Sequence, residues 1–185
     1  MEMAVKHLDH QFDAKLLYAE IRDKMNAVGH AGTLQFLLTH IQDQANDFTL
    51  KWTHGAGSLY DDHKKIWWAR TADFSRLDDT FKGTYTESVI DQVRAIAATR
   101  GKKIGRVRVL TLNPKTCYSL HTDEEEFRYH IPLFTSGSSF FIANDVVDRM
   151  PVVGQLYEFK TDEAHTAVNA HKYEQRSHLV FDTYE

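Results

Sequence analysis

The segment that decides the fold reads Phe127-Arg128-Tyr129-His130-Ile131-Pro132-Leu133-Phe134. Its apolar residues alternate with Arg128 and His130, and a period of two is typical of a β-strand. A buried unpaired charge costs several kcal/mol, so an inward-facing arginine on such a strand needs an anionic partner. The segment therefore predicts a strand that directs Arg128 and His130 into the interior.

Further short segments after residue 102 are bounded by turn residues in the same way. The candidate strands are 104–112, 117–121, 127–134, 138–142, 154–159, 166–169 and 178–181. Asn113-Pro114 and Ser136-Gly137 are among the turn residues that separate them. About seven strands at regular spacing predict an antiparallel sandwich or barrel.

The first half of the chain has a different character. Residues 12–25 and 87–98 carry apolar residues at helical spacing, and Thr84 or Thr86 is placed to cap the second helix. An irregular segment that includes Trp52 and other aromatic residues lies between them. We expect one domain over 1–185, with helical and irregular support in 1–101 and the β-core in 102–185.

Composition excludes several classes of protein. The apolar content of 42% is ordinary for a globular domain, and the net charge of −4 argues against a dedicated nucleic-acid binder. No apolar run is long enough for a bilayer, the N-terminus lacks the layout of a signal peptide, and Cys117 has no disulfide partner. We expect a cytoplasmic monomer or homodimer. The basic cluster at 100–108 is interpreted as a solvated turn leading into a strand.

His121-Thr122-Asp123 is a candidate metal-binding triplet, because positions i and i+2 of a strand share one face. The triplet proves little alone, since the chain has 11 histidines and His7-Leu8-Asp9 repeats the pattern. We interpret His7 as a chance match in a polar, helical neighbourhood. His165, near the start of another candidate strand, supplies a third ligand for the His121 site.

Two histidines and one carboxylate leave three adjacent positions open on a metal such as Fe(II). A bidentate 2-oxo acid needs two of those positions and O2 needs the third. Arg176 follows His165 on the next strand, and the arginine fork suits the far carboxylate of such an acid. Arg128 and His130 can face the same cavity. The residues together predict an iron site with an adjoining anion site.

Four segments resemble the aspartyl/asparaginyl β-hydroxylase family of Fe(II)/2-oxoglutarate oxygenases, which includes bacterial proline hydroxylases. They are His121-Thr122-Asp123, Arg128-Tyr129-His130-Ile131-Pro132-Leu133, His165-Thr166-Ala167-Val168-Asn169 and Arg176-Ser177-His178-Leu179. The resemblance implies a double-stranded β-helix, or cupin-like jelly roll. It also implies that His121, Asp123 and His165 bind Fe(II), and that Arg176, Arg128 and His130 contact 2-oxoglutarate.

The resemblance further implies an enzyme that uses O2 and 2-oxoglutarate to hydroxylate an unactivated C–H bond, with release of succinate and CO2. The animal branch of the family lacks the acid of the His-x-Asp triplet. The presence of Asp123 therefore favours the bacterial branch that acts on free amino acids. A peptide side chain is the other substrate considered. Arg70, Tyr118 and Trp67 are candidate substrate contacts, and no C-terminal lid domain is expected after Glu185.

Two alternatives use the same residues. A zinc hydrolase could be built on His121, Asp123 and His165, but it gives no role to Arg176 or Arg128. A non-catalytic jelly roll that binds a metal or a ligand is the other. All three hypotheses predict a small-molecule or peptide partner, and none predicts contact with nucleic acid or membrane.

Overall fold

The computed structural model describes residues 4–49, 59–61 and 64–185, so Trp52 lies outside the described residues. Within those ranges the helices are α1 (Ala14–Ala27), α2 (Tyr85–Ala98) and two 3-10 helices, Thr71–Asp73 and Asp79–Phe81. The strands, in chain order, are β1 (Val5–Gln11), β2 (Gln35–Leu37), β3 (Thr39–His40), β4 (Tyr60–Asp61), β5 (Ile66–Trp67), β6 (Arg76–Leu77), β7 (Lys103–Leu112), β8 (Thr116–Cys117), β9 (Phe127–Phe134), β10 (Ser139–Ala143), β11 (Val146–Asp148), β12 (Gln155–Lys160), β13 (His165–Asn169) and β14 (Arg176–Tyr184).

Most of these strands form two antiparallel sheets. The larger has six strands in the order β1-β12-β9-β14-β7-β2, and the smaller has four in the order β11-β10-β13-β8. From β7 onward the chain passes back and forth between them, with β7, β9, β12 and β14 in the larger sheet and β8, β10, β11 and β13 in the smaller. This winding makes a double-stranded β-helix, so the predicted jelly roll with flanking helices is confirmed.

The inner faces of the two sheets meet in an apolar cluster. Phe141 on β10 and Phe159 on β12 lie with ring centroids 4.6 Å apart. The cluster also includes buried residues of β7 and β13, namely Leu112 and Ala167. Because only part of the space between the sheets is filled by this cluster, polar inward-facing residues line the remainder as a cavity.

The two helices cover the outer face of the larger sheet. The apolar residues of β9 share one buried cluster with the stripes of α1 and α2: Phe127, Tyr129, Ile131, Leu133, Leu17, Ile21, Val89, Ile90 and Val93. Side chains alternate across a strand, so packing this set outward turns Arg128 and His130 inward. The predicted alternation of β9 is confirmed in this way.

Both helices lie where the sequence predicts them. Asp13 caps α1 by accepting two backbone N–H hydrogen bonds at 3.0 Å, and Thr84 rather than Thr86 caps α2. Glu20 of α1 accepts backbone hydrogen bonds from the first turn of α2 at 3.1 and 2.8 Å, which ties the helices together. Within the described ranges, neither helix combines the length and the apolar character needed to cross a bilayer.

The region before residue 102 contributes more to the β-core than its sequence predicts. β1 pairs with β12 and β2 pairs with β7, so both edges of the larger sheet come from this region. The interpretation of His7 as lying in a helical neighbourhood is wrong, because His7 lies on β1 opposite Tyr157. β1 is mostly exposed, so it lacks the alternating apolar pattern by which a strand is predicted.

Gly105 allows the 3-10 helix Thr71–Asp73 to pack directly on β7. A Cβ atom on Gly105 would lie 2.0 Å from the carbonyl oxygen of Thr71. We expect Gly105→Ala to lower the free energy of unfolding by about 1–3 kcal/mol, measured by urea denaturation. Gly137→Ala is the matched control, because nothing lies within 4 Å of its Cβ position. Equal stability of the two variants would contradict this account of the packing.

Candidate metal centre and anion site

A cavity of about 500 Å³ lies between the two sheets, a volume typical of small-molecule sites. Residues of β7, β9, β14, β10 and β13 line it, and the β4–β5 hairpin contributes Tyr60 and Trp67. Four buried arginines are among the lining residues: Arg106, Arg108, Arg128 and Arg176. So many guanidinium groups in one cavity require carboxylates, whether from the protein or from a ligand.

His121, Asp123 and His165 meet at one side of this cavity. The three side chains each offer a ligand atom, and these atoms lie within 4.8 Å of one another. Asp123 lies 3.9 Å from Nε2 of His121 through Oδ1 and 3.3 Å from Nε2 of His165 through Oδ2. The structure therefore brings the three predicted ligands together.

Backbone pairing holds the two histidines side by side. The N–H of His121 donates to the carbonyl of His165 at 3.0 Å, and the reverse hydrogen bond is 2.8 Å long. The predicted strand 117–121 is wrong in extent, because β8 covers only Thr116–Cys117 and His121 follows as an isolated bridge. Asp123 is held separately by its N–H, which donates to the carbonyl of Thr161 at 2.9 Å.

The hydrogen bonds of the imidazoles fit a metal site. Nδ1 of His121 lies 2.7 Å from the carbonyl of Ser119, and Nδ1 of His165 lies 2.8 Å from the carbonyl of Glu163. A carbonyl oxygen only accepts, so each Nδ1 carries a proton, and in the neutral ring this leaves the lone pair on Nε2 for a metal. Both Nε2 atoms face Asp123, which is the donor set of a divalent transition metal.

Asp123 is ionised in this setting. Burial alone would favour the neutral acid, but the charge of Arg128 outweighs it and holds the pKa of the Asp123 carboxyl well below its usual range. Two imidazoles and one carboxylate thus converge, as the predicted Fe(II) site requires.

Arg176 marks a second site in the same cavity. Its side chain is 3% exposed and its guanidinium lies 4.4 Å above the ring centroid of Phe141. Within the described residues it pairs with no carboxylate; its Nη2 donates to Nδ1 of His178 at 3.1 Å, and its Nε has no hydrogen-bond partner. Burial lowers the pKa of Arg176 to about 10, so it is still a cation at neutral pH. Such a cation stabilises a bound anion strongly.

His130 and His178 lie beside Arg176, with ring centroids 5.6 Å apart. Burial, and then the charge of Arg176, lower the pKa of each imidazole well below its usual value, so both are neutral. In the described part of the chain, neither ring nitrogen of His130 has a hydrogen-bond partner, and Nε2 of His178 also lacks one. Because Nδ1 of His178 accepts from Arg176, its Nε2 carries a proton that a ligand in the cavity can accept.

Arg128 differs from Arg176 in its partners. Its guanidinium pairs with three carboxylates, those of Asp123 at 2.5 Å, Asp182 at 2.7 Å and Glu125 at 3.0 Å. Burial would lower the pKa of Arg128, but these three acids outweigh that effect and raise it. The predicted contact of Arg128 with the cosubstrate stays a prediction, since its charge is already balanced by the protein.

The candidate substrate contacts divide into two groups. Trp67 and Tyr118 line the cavity, and Trp67 is 39% exposed on the β4–β5 hairpin. Burial raises the pKa of the Tyr118 phenol, which keeps it protonated. Arg70 is not among the lining residues; it stacks on Trp67 at 4.5 Å and pairs with Glu124 at 2.5 Å. Of the three, only Trp67 and Tyr118 are placed to touch a molecule in the cavity.

A group of charged residues beside the metal centre was not predicted from the sequence. Arg106 and Arg108 were included in a basic cluster interpreted as solvated, yet they are 3% and 2% exposed on β7. Asp182 on β14, which pairs with both, is fully buried. Their alternation along apolar strands is the signal that could have identified them, as it identified Arg128 and His130.

Solved structures of other proteins share the fold of this chain. No protein-family model matches the chain, and no curated protein gives a significant match. A prolyl-4-hydroxylase from Pseudomonas putida aligns with a TM-score of 0.53 and 14% identity, over 98% of this chain and 93% of that one. A collagen prolyl hydroxylase from Paramecium bursaria chlorella virus 1, solved with 2-oxoglutarate, aligns with a TM-score of 0.54 and 9% identity, over 98% and 96%. The chain has the fold of prolyl hydroxylases.

A third structure matches a shorter stretch. An oxidoreductase of the 2-oxoglutarate-Fe(II) oxygenase family from Burkholderia pseudomallei aligns over 53% of this chain, with 17% identity and a TM-score of 0.41. The chain spans 55% of the length of that protein. The two prolyl hydroxylase structures, which align over nearly the whole chain, show a shared fold.

Proposed function

We propose that the protein is an Fe(II)- and 2-oxoglutarate-dependent oxygenase. The observation that carries the proposal is that Arg176, a buried arginine without a carboxylate partner in the described chain, lines the same cavity as the His121, Asp123 and His165 triad. A metal site beside a separate cationic site suits a ligand that chelates through one end and carries a carboxylate at the other. 2-Oxoglutarate is such a molecule.

The side chains of the cavity would hold the metal and orient the bound acid. His121, Asp123 and His165 would hold Fe(II), which with 2-oxoglutarate and O2 supplies the oxidising power for C–H hydroxylation, with release of succinate and CO2. Arg176 would pair with the distal carboxylate, and the protonated Nε2 of His178 would donate a further hydrogen bond to the bound acid. His130 is neutral and buried, so we assign it an orienting contact rather than proton transfer.

We also propose the kind of substrate. The motifs that resemble the aspartyl/asparaginyl β-hydroxylase family, together with Asp123, support a free amino acid or an amino-acid side chain in a peptide. Trp67 and Tyr118 are the described residues best placed to contact it, because both line the cavity and Trp67 is partly exposed. The fold shared with prolyl hydroxylases is consistent with this class of substrate.

Anaerobic mixing of the purified protein with Fe(II) and 2-oxoglutarate tests the proposal. We expect the weak visible charge-transfer band of the chelate, and succinate when O2 is admitted. A screen of amino acids and short peptides should then find a compound that increases succinate release. A protein that binds the metal but gives neither band nor succinate would be a non-catalytic binding module, or a zinc hydrolase if its Zn(II) form cleaves substrates, and the oxygenase proposal would be rejected.

A further inference from the structure

Asp182 connects three arginines beneath the metal centre. It lies on β14 and is fully buried. Its Oδ2 pairs with Nε of Arg106 at 2.5 Å and with Nη2 of Arg108 at 3.3 Å. Its Oδ1 pairs with Nε of Arg128 at 2.7 Å. One carboxylate thus connects β14 to the two neighbouring strands, β7 and β9.

Arg128 carries this connection to the metal ligand. Its Nη1 pairs with Oδ2 of Asp123 at 2.5 Å, and its Nη2 pairs with Glu125 at 3.0 Å. The contacts of Arg128 with Asp182 and Asp123 are close ion pairs rather than aligned hydrogen bonds. A guanidinium is planar and rigid, so an ion pair that holds Nε against Asp182 also restricts where both terminal nitrogens lie. The orientation of Asp123 therefore depends on Asp182 through one intervening side chain.

The charges of the cluster lead to the same result. Arg128 shares its single positive charge among Asp182, Glu125 and Asp123. Without Asp182, Arg128 would pair more strongly with Asp123. The arginine would then compete with a metal ion for the Asp123 carboxylate. Arg128 without Asp182 would keep only Glu125 and Asp123 as counter-ions, so its charge would also repel a divalent cation bound at Asp123.

We propose that Asp182 is a positioning residue for Asp123, acting through Arg128 to keep that carboxylate oriented and available to the metal. The inference rests on the proposed metal site, but it does not depend on catalysis. Partners that orient a metal ligand from behind typically change metal affinity by about 10- to 100-fold when they are removed. Asp182 and Arg128 therefore support the metal ligand Asp123.

Co(II) titration of the whole protein tests this inference without turnover. We expect Asp182→Asn to raise the Kd for Co(II) at least about tenfold and to change the visible spectrum of bound Co(II). Asp78→Asn is the matched control, because Asp78 is also buried and pairs with Lys24 and His40, outside the cavity lining. The control should lose stability in thermal unfolding but keep the Kd for Co(II) within about twofold.

Each outcome decides the inference. A wild-type Kd in Asp182→Asn would overturn it, as would equal weakening in Asp78→Asn, which would indicate general loosening. If Asp182→Asn does not fold, Arg128→Lys decides, because lysine keeps the charge but is a single point donor that cannot hold Asp182 and Asp123 together. A wild-type Kd in that variant would overturn the inference. If the wild-type protein binds Co(II) but shows no charge-transfer band with Fe(II) and 2-oxoglutarate, only the proposed function is rejected.

Discussion

An Arg176→Met variant should bind 2-oxoglutarate about 30-fold to 3,000-fold more weakly than the wild type. Truncating one partner of a buried charge pair costs about 2–5 kcal/mol, and each 1.4 kcal/mol is about tenfold in affinity. Methionine replaces the aliphatic stem of Arg176 but not its guanidinium, which stacks on Phe141, so the loss reports the charged group. Calorimetric titration of the Co(II)-loaded protein under anaerobic conditions measures the affinity.

Two further measurements distinguish this role from a structural one. The affinity for Co(II) should be unchanged, since Arg176 is not a ligand and its described polar contact is with His178. Thermal unfolding of the unliganded variant should occur at the same or a higher temperature, because a buried cation without a counter-ion has been removed. Arg94→Met, on α2, is the control for the substitution itself. Unchanged 2-oxoglutarate affinity in Arg176→Met would show that the anion site lies elsewhere.

A His121→Ala variant should lose metal affinity by more than about a hundredfold. Removing a partner behind a ligand already costs about 10- to 100-fold, and the loss of the ligand itself costs more. His7→Ala is the control, because His7-Leu8-Asp9 repeats the same triplet on β1. Its ring lies 5.4 Å from that of Tyr157, and it is not part of the metal cluster.

Co(II) titration of both variants gives the comparison directly. We expect His7→Ala to bind Co(II) as the wild type does. Retained affinity in His121→Ala, or an equal loss in His7→Ala, would place the metal elsewhere. The pair of variants also tests whether a His-x-Asp pattern has meaning outside its tertiary setting.

Local patterns in the sequence predicted the elements that carry the site. The alternation in Phe127–Phe134 predicted the strand β9, its bounds and the inward direction of Arg128 and His130. Helical spacing and a capping threonine predicted α2. β1 and β2 were not predicted, because strands at the edges of the sheet are short or largely exposed and lack a clear apolar period.

The metal ligands were predicted as residue types in the right order, but their meeting depends on the fold. His121 and His165 are joined by two backbone hydrogen bonds between segments far apart in the chain. That pairing, rather than a continuous strand at 117–121, brings the two Nε2 atoms to Asp123. The spacing of residues in the sequence does not predict a backbone bridge of this kind.

The two arginines in the cavity, Arg128 and Arg176, show what the sequence determined and what the tertiary structure determined. The sequence by itself placed Arg128 inside a predicted strand and Arg176 just before the predicted strand 178–181, and a period of two directs both side chains toward one cavity. Only the tertiary structure decided that Arg128 meets three carboxylates and Arg176 meets none among the described residues. The reason is strand register: β14 pairs Asp182 with Arg128, and a register is set by packing of the whole sheet.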